Sequence, residues 1–584
     1  MTIVQSGAVN TTALITPGLL VQIVPPGQTL LNGVPTNLLG IVGTASWGPV
    51  NQPVVCASMA DFSQNFGPVN NRKFDLLTGA SLAVLQGANN MRGVRVTDGT
   101  DTAASIALLS CSAASPSAAG TGYVVNDLIT LTNGTILKVL TVSSGAVSTV
   151  GVQAPNLFAP APSSPVAQSS TTGIGTGATF TLTNVTAITL TAKYTGTFGN
   201  QIQATFTAGS STTTAAPTYK LTAAIPGQPP EIFDNLGGTG AALWTAAAAA
   251  INSGQSGLRG PSQLLVATTS TGAGAPAIGA NFTLAGGTDG TGTITSAVLV
   301  GVDTTPRKGM YALRGTGCSV AFLADADDTT AWSAQVAYGL SEGTYMIGAG
   351  PSGDTIANAP GAKQTAGIDS YAFKELFGDW LYWADPVNLV SRYVSPQGAN
   401  AGLLANLAPH ESSLNKPLYG FTATQRTASG APYSRAETDA LIGAGIDVIA
   451  NPSPGGNYFS AAAGHNSSSN PVIHGDNYTR MTNFLAATLN SGMGLFVGKP
   501  ITPSLLRKIN ATLDIFLNTL STKHMISDYS ITCDSSNNPS ARTALGYAQA
   551  DVKVVYLGIL EQLIVNIQGG QSVQITRKSL QLAA

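Results

Sequence analysis

Charge is scarce in this chain: only 9% of its 584 residues are Asp, Glu, Lys or Arg, against about 25% in an average soluble protein. That scarcity excludes a nucleic-acid-binding surface of the usual kind, which needs a dense basic cluster. It leaves Ala, Ser, Thr and 66 glycines to cover much of the exterior, and so neutral a surface repels neighbouring copies weakly. Cysteine is also rare. Cys56, Cys111, Cys318 and Cys533 are far apart and without CxxC spacing, so buried free thiols in a reducing compartment are expected, not disulfides or a zinc site. No run approaches the ~18 consecutive apolar residues of a membrane span. The opening MTIVQSGAVN lacks a basic n-region, so a secretory signal is not expected.

Catalytic and cofactor constellations are missing as well. Gly498-Lys499 fails as a phosphate loop, because Met493 stands where the first glycine belongs and Pro500 where a magnesium-binding hydroxyl belongs. Gly173, Gly175 and Gly177 precede no helix, which argues against a dinucleotide site. His410, His465, His474 and His524 have no metal-ligand spacing. Neither a GxSxG elbow nor an assignable Ser–His–Asp set is present. Asp325, Asp327 and Asp328 do not follow calcium-loop spacing and read instead as acids at a helix start. The expectation is a non-enzyme with no catalytic residue, no metal and no cofactor.

At this length several domains are expected. Residues 1–30 read as an arm, with a short strand at Leu19–Val24 confined to a sheet edge by flanking prolines. Residues 31–106 give strand, helix and strand, the helix spanning Phe74–Gly87. From Thr102 to Ala192 the only charged residues are Asp127 and Lys138. Alternation with period two makes 107–185 an all-β insertion placed on the outside. Residues 186–290 form an α+β unit with a helix near Ala241–Asn252. In 291–470, AVLVGV, SVAFLAD, TYMIGAG, DWLYWAD and IDVIAN read as strands between helices at Thr329–Leu340 and Arg435–Gly443, the pattern of a covered, largely parallel sheet.

The C-terminal block, 471–569 with an arm at 570–584, is the most legible. YTRMTNFLAATLNS places Met481, Phe484, Leu485 and Leu489 at helical spacing, with Gly492 as the stop. A second helix starts at Thr502-Pro503, and Leu505, Leu506, Ile509, Leu513, Phe516, Leu517 and Leu520 fall on one face. Between Asp551 and Thr576 strand alternation returns. Leu563, Val565 and Ile567 share a face, Gly569-Gly570 interrupts, and Val573 and Ile575 resume the period. The ending either folds back as a hairpin or extends another subunit's sheet.

That block, from the paired helices through DYSITCDSSNNP (528–539) to Gly546 and the β stretch, resembles that of contractile tail sheath proteins of bacteriophages. TPGLLVQIVPPG (16–27), GVPTNLLGIVGTASWGPVNQPVVCASMADFSQNFG (33–67), GVRV (93–96), AKYTGTFGNQI (192–202), PEIFDNL (230–236), LAGGTDG (284–290) and RKGMYAL (307–313) resemble the family's N-terminal and middle patterns. The 107–185 segment resembles a β module that recurs as an insert in phage structural proteins. The resemblance implies an α/β sheath core, an inner α+β C-terminal domain with strand-donating arms, and the all-β insertion, within an α/β and α+β multidomain chain.

It further implies a homo-oligomeric helical sleeve around a tail tube, assembled in the host cytoplasm and carried in the virion tail. The sleeve contracts irreversibly to drive the tube through the host envelope, with baseplate and tail terminator proteins as further partners. No nucleic acid and no direct membrane contact are implied. The alternative is the sheath of a tailocin or another contractile injection system. On this reading Leu20, Val21, Ile23, Val573 and Ile575 belong to linking arms, and Leu563, Val565 and Ile567 to a receiving strand. The C-terminal balance of nine Lys/Arg to five Asp/Glu from Asn477 onward, with the block placed innermost, makes Arg507, Lys508 and Lys523 the tube-facing residues.

Overall fold

A computed structural model of the protein describes residues 2–5, 20–23, 31–452 and 456–569. The chain divides into two compact units. One comprises Pro35–Ala408 and Asn415–Gly475, the other Met1–Val34, Pro409–Leu414 and Asp476–Ala584.

The larger unit is built on a six-stranded sheet in the order Phe373–Leu376, Tyr345–Ala349, Val320–Leu323, Leu39–Gly43, Met91–Arg95, Pro53–Cys56. The first five strands are parallel and the last is antiparallel. Leu39–Gly43, Val320–Leu323 and Tyr345–Ala349 are buried along their whole length, as apolar parallel strands covered on both faces must be. Alternate residues feed two cores. Ile41, Phe322 and Ile347 join the helices Leu76–Leu85 and Pro396–Asn406 on one side. Val42, Ala321, Leu323 and Met346 meet Trp332 and Tyr338 of the helix Trp332–Glu342 on the other. Pro396–Asn406 is buried all round except at its last residue. Its glycines make that possible: a Cβ on Gly402 would sit 2.4 Å from the Ala83 Cα, and one on Gly398 2.9 Å from the Gly79 carbonyl oxygen.

Sequence order is interrupted between the second and third parallel strands by everything from 103 to 290. Two strands, Ala103–Thr121 and Thr176–Thr195, run antiparallel for their whole length, from Ala103↔Thr195 to Thr121↔Thr176. Their inner halves pack, through Leu108, Ile188 and Leu190, with the helix Ala241–Ser253 and a four-stranded sheet formed by Glu231–Leu236, Tyr219–Ala224, Gln203–Ala208 and Asn281–Thr283. The outer halves close a separate core of Tyr123, Ile129, Leu137, Val139 and Phe180. The module expected at 107–185 therefore continues two strands of the domain beneath it. Ladder irregularities at Thr179/Phe180, Thr183/Asn184 and Thr186/Ile188 mark where the pair passes from one core to the other. At the mouth of the insertion the buried Arg95 guanidinium donates to the carbonyls of Gly48 (2.9 Å) and Thr195 (2.7 Å). Asp289 accepts from the Thr197 N–H (2.6 Å) and pairs with Arg72.

Most expected helices form within a few residues of their expected ends. AVLVGV does not form a strand: Ser296–Val300 is a short helix closed by Gly301 at φ 71°, so a continuous apolar run gave the wrong element, as short runs do. Of the three aspartates, Asp328 caps the turn Thr329–Ala331 by accepting from the Thr330 N–H. Asp327 pairs with Lys73 at 2.8 Å and Asp325 accepts from the Phe74 N–H at 3.1 Å. Asp325 and Asp327 tie a loop, while the turn that Asp328 caps runs directly into the helix Trp332–Glu342. All four cysteines are buried and free.

Candidate assembly surface of the C-terminal unit

The smaller unit is a pair of helices under a two-stranded sheet. Asp476–Met493 buries Met481, Phe484 and Leu485, and it runs through Gly492, where a stop was expected. Pro503–Thr522 is capped by the Thr502 hydroxyl, which accepts from the Leu505 N–H at 3.1 Å, with proline in the first turn. The seven residues of its apolar stripe, Leu505, Leu506, Ile509, Leu513, Phe516, Leu517 and Leu520, are all buried, and Phe484 and Phe516 meet across the pair at 6.2 Å between ring centres. At roughly 1.5–3 kcal/mol for each fully buried large side chain, this stripe supplies most of the unit's cohesion. Leu31 and Val34 also pack on this core, so residues 31–34 join the C-terminal helices and not the α/β sheet to which 31–106 was assigned.

The sheet pairs Ile526–Thr532 with Asp551–Tyr556 antiparallel, from Ile526↔Tyr556 to Thr532↔Asp551. Tyr529, Ile531, Val552 and Val554 turn toward the helices, while Lys553 and Val555 face outward. Tyr529 donates to Asp514 Oδ1 at 2.9 Å. Burial, reinforced by that carboxylate, raises its hydroxyl above the usual tyrosine range. The connecting loop is pinned by side chains. Asn537 Nδ2 donates to the Thr532 carbonyl (2.7 Å) and Asp551 (2.9 Å), and Asn538 exchanges hydrogen bonds with the Gln549 backbone at 2.8 and 2.6 Å. No further strand pairs with either edge among the described residues, which leaves both edges open to an added strand.

Of the strand alternation expected from Asp551 to the Gly569-Gly570 break, the structure forms a strand only over Asp551–Tyr556. Leu563, Val565 and Ile567, expected in a receiving strand, lie instead in chain without regular structure and are 76%, 68% and 87% exposed. Among the described residues no strand lies beside this segment, so its alternation forms no ladder. Val573 and Ile575 lie outside the described residues. At the other end, Leu20, Val21 and Ile23 do lie on a strand, Leu20–Ile23. Its partner is Thr2–Gln5, parallel, with Thr2↔Leu20 and Gln5↔Ile23 in register. That second strand went unread, although the β-branched pair Ile3-Val4 was a signal for it.

Arg507, Lys508 and Lys523 are exposed on or just beyond the long helix, outside its apolar stripe. None forms an ion pair among the described residues. Sequence reasoning also missed a cavity of about 380 Å³ against this helix. It is walled by Met493, Phe496, Leu505, Ile509, Cys533 and Tyr547, and its one charged lining residue is Lys499. Only the fold brings these segments together; no spacing in the sequence announces it. No helix among the described residues is long and apolar enough to cross a membrane.

No protein-family model and no curated protein matches the chain in sequence. Among solved structures, the sheath tail protein of Desulfitobacterium hafniense aligns with a TM-score of 0.50 at 12% identity, over 88% of this chain and 93% of its own. The sheath tail protein of Listeria innocua aligns with a TM-score of 0.52 at 11% identity, over 90% of this chain and 96% of its own. At such low identity the likeness establishes fold, and it runs through nearly the whole chain.

Proposed function

We propose that this chain, which has the mixed α/β multidomain fold of sheath tail proteins, is the sheath subunit of a contractile phage tail. It polymerises as a helical sleeve around a tail tube and contracts to drive the tube through the host envelope. The observation that carries the reading is the C-terminal unit, where a two-stranded sheet with no further strand among the described residues is followed by a stretch in which Leu563, Val565 and Ile567 are exposed. A donated strand would add main-chain hydrogen bonds worth about 0.5–1.5 kcal/mol net each, so four to six would hold neighbours by several kcal/mol. Leu563, Val565 and Ile567 then act as part of a strand that is given as well as received, and Leu20–Ile23 as the opposite link.

The larger unit is the rigid body of this machine, and its insertion at 107–185 an outer module. Contraction proceeds without nucleotide, driven by the greater surface buried in the compact lattice. The fold's neighbours are structural proteins, which supports a non-enzymatic role. Baseplate, tube and terminator proteins are the expected partners, and the virion tail the expected location. Electron microscopy of the purified protein tests the reading: sleeves are expected. Deleting 1–24 or 570–584 should leave soluble, folded protein that forms none. Sleeves of normal length from either truncation would refute strand donation.

A further inference from the structure

Histidine is rare in this chain, with 4 among 584 residues, yet the fold brings two of them into contact. His465 and His474 stand with their ring centres 3.8 Å apart and their planes tilted by 47°. That is closer than the roughly 4.5–7 Å at which aromatic rings ordinarily pair. A nitrogen of one ring lies within 4.8 Å of a nitrogen of the other. We infer that His465 and His474 are ligands of a divalent d-block cation of the zinc class, bound at the base of the 465–475 loop.

The backbone that carries the pair is fixed by its own hydrogen bonds. His465 and Gly475 form an antiparallel bridge, and the Asn466 N–H donates to the His474 carbonyl at 2.7 Å. The Asn466 side chain donates to the Ile473 carbonyl, also at 2.7 Å. On one side of His465 the Gly464 N–H donates to the buried Asp447 carboxylate at 2.9 Å. On the other, the Ser467 N–H donates to the Phe373 carbonyl at 2.8 Å, and the Ser469 N–H and hydroxyl donate to Asp369 at 2.8 and 2.6 Å. Ligands on such a backbone leave little ordering for the ion to impose, which is what a chelate needs. The donor type selects the cation: imidazole suits Zn²⁺, Ni²⁺ and Cu²⁺, whereas Mg²⁺ and Ca²⁺ take oxygen. At tetrahedral zinc, two nitrogens each about 2.0–2.1 Å from the ion lie about 3.3 Å apart, so a small rotation of either ring completes the pair. Water or other donors take the remaining positions. His474 is half-buried, so an ion reaches the pair from solvent. The spacing hides the site, because residues nine apart share no helix turn; only the bridge that closes the loop unites them.

The full chain, stripped with EDTA and dialysed, is titrated with ZnCl₂ by isothermal titration calorimetry. Saturable uptake of one zinc per chain is expected, with no comparable binding of MgCl₂ or CaCl₂. His465→Gln and His474→Gln should each weaken zinc binding by roughly tenfold or more. His524→Gln, at an exposed histidine on another element, should leave it unchanged. Thermal scans in EDTA establish that each variant folds as the parent does. Zinc-edge X-ray absorption of the parent's one-equivalent complex needs no variant, and it should show two imidazole nitrogens about 2.0–2.1 Å from the metal. A parent that takes up no zinc overturns the inference. So does a complex with fewer than two imidazoles, equal uptake of magnesium, or parental zinc affinity in either folded variant. No arm depends on sleeve formation, so the result stands apart from the sheath reading.

Discussion

Replacing Lys374 with methionine should destabilise the larger unit more than any surface change. Lys374 Nζ lies 2.8 Å from Asp447 Oδ2, and both side chains are fully buried. Asp447 also accepts from the N–H groups of Val448 (2.8 Å), Ala463 (3.0 Å) and Gly464 (2.9 Å). Its own backbone joins the edge strand, donating to the Glu375 carbonyl at 2.9 Å and accepting from Phe377 at 2.8 Å. The pair therefore clamps the 447–464 segment to the last parallel strand. Removing one partner of a buried pair leaves an uncompensated charge, at a cost of about 3–5 kcal/mol. The three N–H donors that remain hold the carboxylate in part, which places K374M near the lower figure. For a unit of this size, with about 2 cal/mol/K of unfolding entropy per residue, that is a fall of roughly 3–5 °C in its main calorimetric transition. K374M/D447N should recover part of the loss, because the charge is gone while one acceptor oxygen stays. A K374M transition within about 1 °C of the parent, or a double variant less stable than K374M, would refute the argument.

Glu375 is buried, with Oε2 unpartnered among the described residues, and burial pushes its carboxyl up to about 8 despite the opposing influence of Lys363. The native state then holds a proton that the unfolded state releases above about 4.5, so stability should fall as pH rises from about 4.5 to 8; thermal scans of E375Q across this range should show a flatter slope. Gly402→Ala should destabilise by about 1–3 kcal/mol, because its methyl would meet the Ala83 backbone; a transition temperature equal to the parent's would show that the two helices can separate freely. Joining Ser112 to Thr183 through Asn-Gly, at the level of the Asn184↔Cys111 pair, should remove the outer module and leave assembly and contraction intact; sleeves that form but do not contract would give the module a role in the lattice.

The parallel core was legible because its strands are buried on both faces and hence apolar without interruption. Leu39–Gly43 and Tyr345–Ala349 stand out for that reason. The same signal failed at AVLVGV, where four apolar residues in a row fit one turn of helix equally well. The long pair Ala103–Thr121 and Thr176–Thr195 was read in pieces, because an insertion boundary inferred from composition cannot detect a ladder that passes through it. The two C-terminal helices were plain from period, cap and proline. What followed them was not, since alternation reports a strand's preference and not whether an edge is available to pair with. Leu563, Val565 and Ile567 have the pattern and, among the described residues, no neighbouring strand.

The proposed tube contact turns on the same distinction between what a surface offers and what meets it. Arg507 and Lys508 are exposed and lack ion-pair partners among the described residues, so reversing both to Glu changes no buried group and should leave the unit's stability within about 0.5 kcal/mol. A tube-facing role requires a contact that forms at assembly and breaks at contraction. Exposed pairs at about 0–1 kcal/mol each meet that requirement: each is weak enough to release, and many subunits sum to a firm grip. Arg507→Glu/Lys508→Glu should therefore leave tube-free polymers unchanged but reduce extended sheath co-assembled with tubes. Raised salt should reproduce the defect in the parent, because exposed charges are screened within about 10 Å at 0.1 M ionic strength. Co-sedimentation with tubes at low salt is the deciding assay. If the double reversal sediments with tubes as well as the parent does, the long helix faces something else, and the positive balance of the C-terminal block serves another surface.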